Sequence, residues 1–321
     1  MSVFTHMDVT TIDQAVSSLA NKKAAIIAGG TEILGTVRTA VSPSVPETLI
    51  NIKTIPGLDY IKEEGGFLKI GALTKLTDIY ESSLVQGKYY ALAEAAHKVA
   101  TPELRNMGTI GGNICQGVQC WYYRSAFNFY PCLRKNPQGV CYALTGDNRY
   151  NSIFGAVNGC VAVNPSDTAA ALVALNASIK TNKKTWEIKD FFAVNGEHTT
   201  ALASDEIVTE IQVPTPAGGS KSAFFKFALR KSFDFAIVNC AALITSSGGS
   251  VTVARICLNA VHNLPRLATT AGDSLKGKAI DEASASAAAD SALTGATALS
   301  ENKYMILIAK SLVKRAVLAC K

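Results

Sequence analysis

The sequence lacks long hydrophobic runs and a strong charge of either sign. No stretch reaches the roughly 18 consecutive apolar residues of a transmembrane helix, and residues 1–8 have no basic start followed by an apolar core. We therefore expect a cytoplasmic protein without a membrane span or secretory signal. The net charge of +6 is modest for 321 residues, and no basic run is interleaved with aromatics, so nucleic acid binding is not expected.

Residues for nucleophilic or metal-assisted catalysis are also scarce. The four histidines, His6, His97, His198 and His262, lie far apart in the sequence. No G-x-S-x-G nucleophile motif occurs, and no pair of carboxylates stands out from the other charged residues. We therefore expect no catalytic residue in this chain and no conversion of an organic substrate by this chain alone.

The four cysteines Cys120, Cys132, Cys141 and Cys160 include no pair with the spacing of about two to four residues that structural zinc sites usually use. Cys120, Cys132, Cys141 and Cys160 nevertheless fall within 41 residues, with 11, 8 and 18 residues between them. In a reducing compartment a disulfide framework is not expected. Three alternatives stay open for these four: a [4Fe-4S] cluster, a structural zinc ion, or buried thiols without a metal.

Two glycine-rich segments have a composition that suits a phosphate-bearing cofactor. Residues 26–32 leave an apolar strand, pass Gly29 and Gly30, and enter a helical pattern, so that backbone N–H groups can approach a pyrophosphate. They match neither the G-x-G-x-x-G fingerprint nor a P-loop. Residues 109–113 offer a second close approach, and Asp167 can accept from a ribose or ribityl hydroxyl. Ordinary turns and a helix cap at Asp167 are the alternatives.

The hydrophobic pattern predicts an α+β fold. A hydrophobic content of 48% with 17% charged residues is typical of globular domains, and the length suffices for two or three of them. The proline- and glycine-rich residues 214–220 predict a domain boundary. The predicted strands cover 24–28, 48–52, 58–61, 67–70, 206–213, 223–229, 236–245 and 250–261, and the predicted helices cover 32–37, 75–81, 90–99, 168–177, 281–293 and 304–320.

The motifs taken together resemble a known family. Ala28-Gly29-Gly30-Thr31-Glu32, then Arg105-Asn106-Met107-Gly108-Thr109-Ile110-Gly111-Gly112-Asn113, then Ser166-Asp167, stand in the order found in the FAD-binding medium subunit of the xanthine dehydrogenase, or molybdenum hydroxylase, family. The resemblance spans nearly the whole chain. It implies a two-subdomain FAD-binding domain of the PCMH/VAO type, followed by a CO-dehydrogenase-flavoprotein-like C-terminal α+β domain. The implied ranges are 1–215 for the first domain, with subdomains of about 1–55 and 56–215, and 216–321 for the second.

Residues 114–163 add a segment that ordinary medium subunits lack. This insertion resembles that of the 4-hydroxybenzoyl-CoA reductase β subunit and of the FAD subunit of a bacterial aldehyde oxidoreductase, where it carries an extra [4Fe-4S] cluster. Cys240, Cys257 and Cys320 lie outside the insertion and are interpreted as core thiols. The cluster ligands implied by the resemblance are Cys120, Cys132, Cys141 and Cys160.

By the same resemblance, FAD lies between the two subdomains. Lys226 matches a family lysine near the flavin ring, where a cation stabilises the anionic reduced form. The alternative for Lys226 is an ordinary strand lysine with its ammonium group in water. The implied cofactor-binding residues are Ile27, Ala28, Gly29, Gly30, Thr31, Glu32, Thr109, Gly111, Gly112, Asn113, Cys115, Asp167, Val208 and Lys226.

The resemblance also implies partners and a role in electron transfer. The expected partners are a large molybdenum-cofactor subunit and a small subunit with two [2Fe-2S] clusters, in a heterotrimer or a dimer of heterotrimers. FAD and the cluster would relay electrons to or from an external carrier such as ferredoxin. Two alternatives stay open: a stand-alone flavin oxidoreductase of the VAO type, and a zinc-stabilised structural subunit.

Overall fold

The computed structural model describes residues 4–21 and 23–321. Met1, Ser2, Val3 and Lys22, which belong to the predicted range 1–55, lie outside the described residues. The chain begins with a parallel three-stranded sheet of order β1-β3-β2, as the predicted alternation of strand and helix requires. Its elements are β1 Thr5–Asp8, α1 Ile12–Leu19, β2 Ala24–Ile27, α2 Ile33–Arg38 and β3 Thr48–Asn51.

A five-stranded antiparallel sheet follows, with the order β4-β5-β10-β6-β7. The predicted strand 67–70 is confirmed as β5, whereas the strand predicted at 58–61 lies later, at Ile61–Glu64. These two strands, β4 and β5, form a hairpin through Gly65 and Gly66, whose φ angles of 62° and 81° suit a tight two-residue turn. The strand that ends at the proline-rich segment, β10, lies at the centre of the sheet. The strands are β4 Ile61–Glu64, β5 Phe67–Gly71, β6 Ser178–Thr181, β7 Thr185–Glu187 and β10 Val208–Pro214.

Helices cover this sheet and form the largest hydrophobic core. The most buried of them, α8, has all eight residues buried and packs against α5. Ser166 caps α8 by accepting a hydrogen bond from the Ala169 N–H, so Asp167 occupies the first helical position. The remaining elements of this region are α3 Leu76–Glu81, α4 Ser83–Lys88, α5 Tyr90–His97, α6 Pro102–Arg105, α7 Ile110–Ile114, α8 Asp167–Ala174, α9 Ile188–Phe191, and the paired strands β8 Phe192–Asn195 and β9 His198–Thr200.

The cysteine-rich insertion has little regular structure. Its helical content in the structure is two short 3₁₀ turns, at Ala126–Asn128 and Tyr142–Leu144. The backbone of Phe127 donates to the Thr39 carbonyl at 2.7 Å, and this bond fixes the insertion against the end of α2. A separate small core underneath the insertion contains Cys132 and Cys160.

The C-terminal region is a four-stranded antiparallel sheet, of order β11-β12-β13-β14, with three helices packed on it. Asp281 and Ser284 form a reciprocal capping box at the start of the alanine-rich helix α11, which the sequence predicted as a packed helix. None of the helices in the described chain is long and apolar enough to cross a membrane. The elements are β11 Ser220–Phe227, β12 Val238–Ser247, β13 Ser250–Asn259, β14 Arg266–Leu267, α10 Thr269–Leu275, α11 Glu282–Ala292 and α12 Tyr304–Leu318.

The C-terminal sheet packs directly on the helices of the preceding region. α8 lies against β12 and β13, and α5 lies against β11. Arg255 on β13 donates to the carbonyls of Val173 and Ala174 at 2.9 and 3.0 Å, which satisfies the carboxyl end of α8. This contact between the two regions places residues beyond position 214 beside the glycine-rich segments.

Candidate functional site

A cleft with a volume of about 390 Å³ lies between the first sheet, the helices of the second sheet and the start of the C-terminal region. This volume falls within the range of about 300–1,000 Å³ that is usual for cofactor pockets. Both glycine-rich segments line the cleft, and apolar side chains supply most of the remaining wall. The two segments contribute to the cleft in different ways.

The first segment has backbone donors that the protein does not use. Within residues 4–21 and 23–321, no protein group accepts a hydrogen bond from the backbone N–H of Gly29, Gly30 or Thr31. A Cβ at Gly29 would lie 2.1 Å from the Met107 carbonyl oxygen and 2.9 Å from the Gly108 Cα. Gly29 is therefore required for the close crossing of two backbone segments, and the free N–H groups beside it can donate to a bound phosphate.

The second segment uses its backbone donors internally. Gly111 donates to the Ala72 carbonyl at 3.0 Å, and Gly112 donates to Thr109 Oγ1 at 3.2 Å. Asn113 Oδ1 accepts hydrogen bonds from the hydroxyls of Ser166 and Thr168, both at 2.6 Å. This segment therefore forms a closely packed wall whose polar end is held by the first turn of α8.

Most of the predicted FAD-contact residues line the cleft, and three do not. Ile27 is 5% exposed and packs into the core, because successive residues of β2 point to opposite faces. Asp167 and Lys226 are buried together behind the cleft wall. The predicted residues that line it are Ala28, Gly29, Gly30, Thr31, Glu32, Thr109, Gly111, Gly112, Asn113, Cys115 and Val208.

Cys115 has an exposed side chain on the wall of the cleft. The protein atoms packed around that wall raise the pKa of its thiol to about 12, so it is protonated at neutral pH. The thiol on the cleft wall is therefore neutral at neutral pH.

Asp167 and Lys226 form a buried ion pair. The Lys226 ammonium group lies 2.6 Å from Asp167 Oδ2 and also donates to the Lys98 carbonyl at 2.8 Å, while Asn239 donates to Asp167 Oδ1 at 2.7 Å. Burial raises the pKa of Asp167, and the interactions with Lys226 and Asn239 oppose that rise. The side chain of Lys226 is 8% exposed, so the alternative of a strand lysine with its charge in water is wrong.

Several lining residues were missed by the sequence-based prediction. Glu206 is held on the cleft wall by hydrogen bonds from Thr181 Oγ1 and Trp186 Nε1, both at 2.7 Å, and from the Ala203 N–H at 3.2 Å. Burial raises the pKa of Glu206, but these bonds outweigh it and leave the pKa below its ordinary value. Phe235 reaches the cleft from beyond the predicted boundary. No local sequence signal marks either residue, because both contacts depend on tertiary packing.

Arg124 joins the cleft wall to the cysteine-rich insertion. Its guanidinium group forms a two-pronged ion pair with Glu32, with N–O distances of 3.0 and 3.2 Å. It also donates to the carbonyls of Gly117 and Val118, both at 2.9 Å, and its Cζ lies 5.2 Å from the centre of the Phe235 ring. The predicted cofactor residue Glu32 is therefore oriented by a residue four positions after Cys120.

The four predicted metal ligands line one small cavity. Cys120, Cys132, Cys141 and Cys160 surround a volume of about 10 Å³, which is about the space of a single water molecule. In the part of the chain that the structure describes, no three His, Cys, Asp or Glu side chains are placed to hold a metal ion. The four thiols are thus neighbours without converging on one point.

Polar N–H groups surround these sulfur atoms. Asn151 Nδ2 lies 3.8 Å from Cys120 Sγ, and Asn263 Nδ2 and the Ala162 N–H lie 3.5 and 3.4 Å from Cys160 Sγ. Burial raises the pKa of the thiols of Cys120 and Cys141, while backbone hydrogen bonds to both sulfurs oppose that rise. Donors directed at sulfur stabilise a thiolate, which is the form that binds metal.

The donor set can be compared with the two metal centres that four thiolates usually hold. A zinc ion requires all four sulfurs at about 2.3 Å from a single point, which the present arrangement does not show. In a [4Fe-4S] cluster each thiolate binds a different iron, so the sulfurs lie around a larger body. The four cysteines around one cavity supply the number and kind of ligands that a [4Fe-4S] cluster uses, but their sulfur atoms do not stand in the geometry of a metal site.

Comparison with known proteins identifies the family. Residues 2–216 match the family described as the FAD binding domain in molybdopterin dehydrogenase, and residues 223–320 match the CO dehydrogenase flavoprotein C-terminal domain. The chain belongs to this flavoprotein family. The α+β fold class and the assignment as an FAD-binding oxidoreductase subunit are thereby confirmed.

Relatives in this flavoprotein family match along most of their length. The chain is 31% identical to the aldehyde oxidoreductase FAD-binding subunit of Escherichia coli (strain K12), over 97% of this chain and 96% of the relative. It is 30% identical to the carbon monoxide dehydrogenase medium chain of Hydrogenophaga pseudoflava, over 92% of this chain and 88% of the relative. A solved structure of carbon monoxide dehydrogenase from the same organism covers 99% of this chain and 97% of that chain, with a TM-score of 0.77 and 28% identity.

Proposed function

We propose that this chain is the FAD- and [4Fe-4S]-carrying electron-transfer subunit of a multi-subunit molybdenum hydroxylase-type complex. It relays electrons between an external one-electron carrier and the [2Fe-2S] and molybdenum-cofactor subunits, where the substrate is converted. The observation that carries the proposal is the ion pair of Arg124 with Glu32, which joins the glycine-lined cleft to a segment whose four cysteines surround one cavity.

The cleft residues bind and orient the flavin cofactor. The free N–H groups of Gly29, Gly30 and Thr31 would donate to the pyrophosphate of FAD. The apolar lining, which includes Val208 and Phe235, would exclude water from the bound cofactor. When bound, FAD exchanges electrons singly or in pairs, and an iron–sulfur cluster exchanges them singly.

Asp167 and Lys226 contribute to the cleft from behind its wall. Asp167 lies between Ser166 and Thr168, whose hydroxyls hold Asn113, and Lys226 fixes Asp167 in place. The positive charge of Lys226 is buried and its ammonium group is ordered by two acceptors. We infer that this ion pair positions Asn113 and the first turn of α8 at the FAD site.

The partners follow from the family. Relatives are named as medium chains or FAD-binding subunits of aldehyde oxidoreductase, carbon monoxide dehydrogenase and xanthine dehydrogenase. We propose that the partners of this chain are a large molybdenum-cofactor subunit and a small 2×[2Fe-2S] subunit, in a heterotrimer or a dimer of heterotrimers. The domain ranges 1–215 and 216–321 and the cytoplasmic location stay predictions.

Electron transfer from a reduced ferredoxin to the flavin of the full chain tests this function. In Cys141→Ala the rate of flavin reduction is expected to fall at least about tenfold with the flavin content unchanged, because the one-electron entry point is lost. Cys320→Ala is the matched control, since Cys320 is buried at the end of α12 and does not line the cavity. Equal rates in the two variants and the wild type would contradict the proposal.

A further inference from the structure

Arg134 lines the four-cysteine cavity with a guanidinium group that the protein satisfies incompletely. The residue is 4% exposed, and its Nη2 donates to the His198 carbonyl at 2.6 Å. Its Nε and Nη1 are buried and find no hydrogen-bond partner within residues 4–21 and 23–321. Buried N–H groups of a charged side chain are costly to leave unpaired, so their presence indicates an acceptor at this place.

Lys135 adds a second buried positive charge beside Arg134. Lys135 is 8% exposed, and its ammonium group donates to the carbonyls of Val41 and Tyr123 at 2.9 and 3.0 Å. Both acceptors are neutral. Arg124, in the same insertion, instead pairs with the carboxylate of Glu32. Arg134 in the cavity wall and Lys135 next to it in the chain thus place two buried cations close to the cavity, and the Glu197 carboxylate that interacts with Lys135 belongs to a residue that does not line the cavity.

The described residues that line this cavity include no Asp or Glu. The groups there that can become anionic are the four cysteine thiols and the tyrosines. Burial raises the pKa of Tyr123, so its hydroxyl stays neutral. Four thiolates around a [4Fe-4S] core carry a net negative charge and offer many sulfur acceptors. A buried arginine keeps its positive charge and presents its donors in a fixed planar fork, which suits several acceptors in one plane.

We propose that Arg134 is a positioning residue for the cluster: its free Nε–H and Nη1–H donate to sulfur atoms of the cluster or its ligands, and its charge raises the cluster's reduction potential. This inference rests on the proposed function, since it requires iron at the four cysteines. A purely structural role accounts only for Nη2, which holds the His198 carbonyl. The remaining donors are explained by an acceptor inside the cavity.

The test is a redox titration of the cluster in the full chain, purified without oxygen and followed by electron paramagnetic resonance. Arg134→Gln removes the charge, Arg134→Lys keeps it, and Arg255→Gln is the control. Arg255 also donates to two backbone carbonyls, but it lies at the end of α8 and does not line the cavity. Iron, sulfide and flavin contents are measured on each protein first.

Arg134→Gln is expected to disfavour cluster reduction at least about tenfold, which corresponds to a potential lower by about 59 mV for one electron. Arg134→Lys is expected to recover part of this shift, and Arg255→Gln to leave the potential unchanged. Loss of iron in Arg134→Gln alone, with flavin retained, also supports the proposal. An unchanged potential in Arg134→Gln, or equal loss of iron in both Arg134 variants, would overturn it. Wild-type protein without iron would overturn the proposed function itself, and with it this inference.

Discussion

Gly29 shows how a single residue fixes the geometry of the cleft. The backbone of Met107 and Gly108 passes so close to its Cα that a methyl group has no room. Among the described residues no protein group accepts from its N–H or from those of Gly30 and Thr31, and all three residues line the cleft. The sequence predicted the ligand-facing role of this glycine from its position after an apolar strand. It could not predict the crossing with residues 107 and 108, because that contact joins segments about 80 residues apart in the chain.

Replacing Gly29 by alanine tests this crossing. Gly29→Ala is expected to lower stability by about 1–3 kcal/mol, as overpacked substitutions do, and to reduce the flavin content. Gly35→Ala is the matched control, because Gly35 lies in α2 with open space around its Cα, and it should be neutral or stabilising by up to about 1 kcal/mol. Urea denaturation and the flavin absorbance of both purified variants provide the comparison. Equal behaviour of the two would show that the crossing imposes no constraint.

Glu206 gives the cleft a defined acid sensitivity. Its pKa is below the ordinary value in the folded protein, so it binds fewer protons when folded than when unfolded. Its contribution to stability is therefore complete above its unfolded pKa and is lost as the pH falls below 4.5 through the folded pKa. Glu206→Gln should lower the free energy of unfolding at pH 7, and the variant should lose less stability than the wild type as the pH falls. Denaturation curves between pH 7 and 3.5 measure this pH dependence, with Glu187→Gln at an exposed position as control. An identical dependence of stability on pH in both variants would exclude the mechanism.

Among the helices and strands, the elements with a strong local sequence signal were predicted correctly. The alanine-rich helix predicted at 281–293 and the strand predicted at 67–70 are confirmed, because helix propensity and the glycine turn at Gly65 and Gly66 act over a few residues. Helices α4 and α10 were missed because they are short and rich in residues of weak helix propensity. The insertion has little periodicity, so its structure depends on long-range contacts that the pattern does not contain.

The ion pair of Lys226 and Asp167 connects β11 to the start of α8. Lys226→Met leaves Asp167 buried without its counter-charge, and we expect a loss of about 3–5 kcal/mol of stability. The double variant Lys226→Met/Asp167→Asn should lose less than the sum of the two single variants, because no unpaired charge remains. A double-mutant cycle by urea denaturation measures the coupling. The exposed pair Lys183–Asp205 is the control and should couple by at most about 1 kcal/mol. Strict additivity at Lys226 and Asp167 would contradict the buried pair.

At the scale of the whole molecule, the order of the motifs along the chain was enough to predict the family and the fold class. It was not enough to place Phe235 and Glu206 on the cleft wall, to bury Lys226 behind it, or to show that Arg124 joins the two candidate sites. The positions of Phe235, Lys226 and Arg124 depend on packing of the C-terminal sheet and the insertion against the first two sheets, whereas Glu206 is held by Thr181 and Trp186 of the second sheet. The spacing of the four cysteines alone was compatible with a cluster, a zinc ion or buried thiols. The fold places all four around one cavity.

The proposed function requires that one chain carries both FAD and an iron–sulfur cluster. The most direct measurement is the content of iron, acid-labile sulfide, zinc and flavin per chain, on full-length protein purified without oxygen. We expect about four iron and four sulfide with one FAD, and loss of iron with retention of flavin when any of Cys120, Cys132, Cys141 or Cys160 is replaced by serine. One FAD without iron, or one zinc in place of iron, would contradict it.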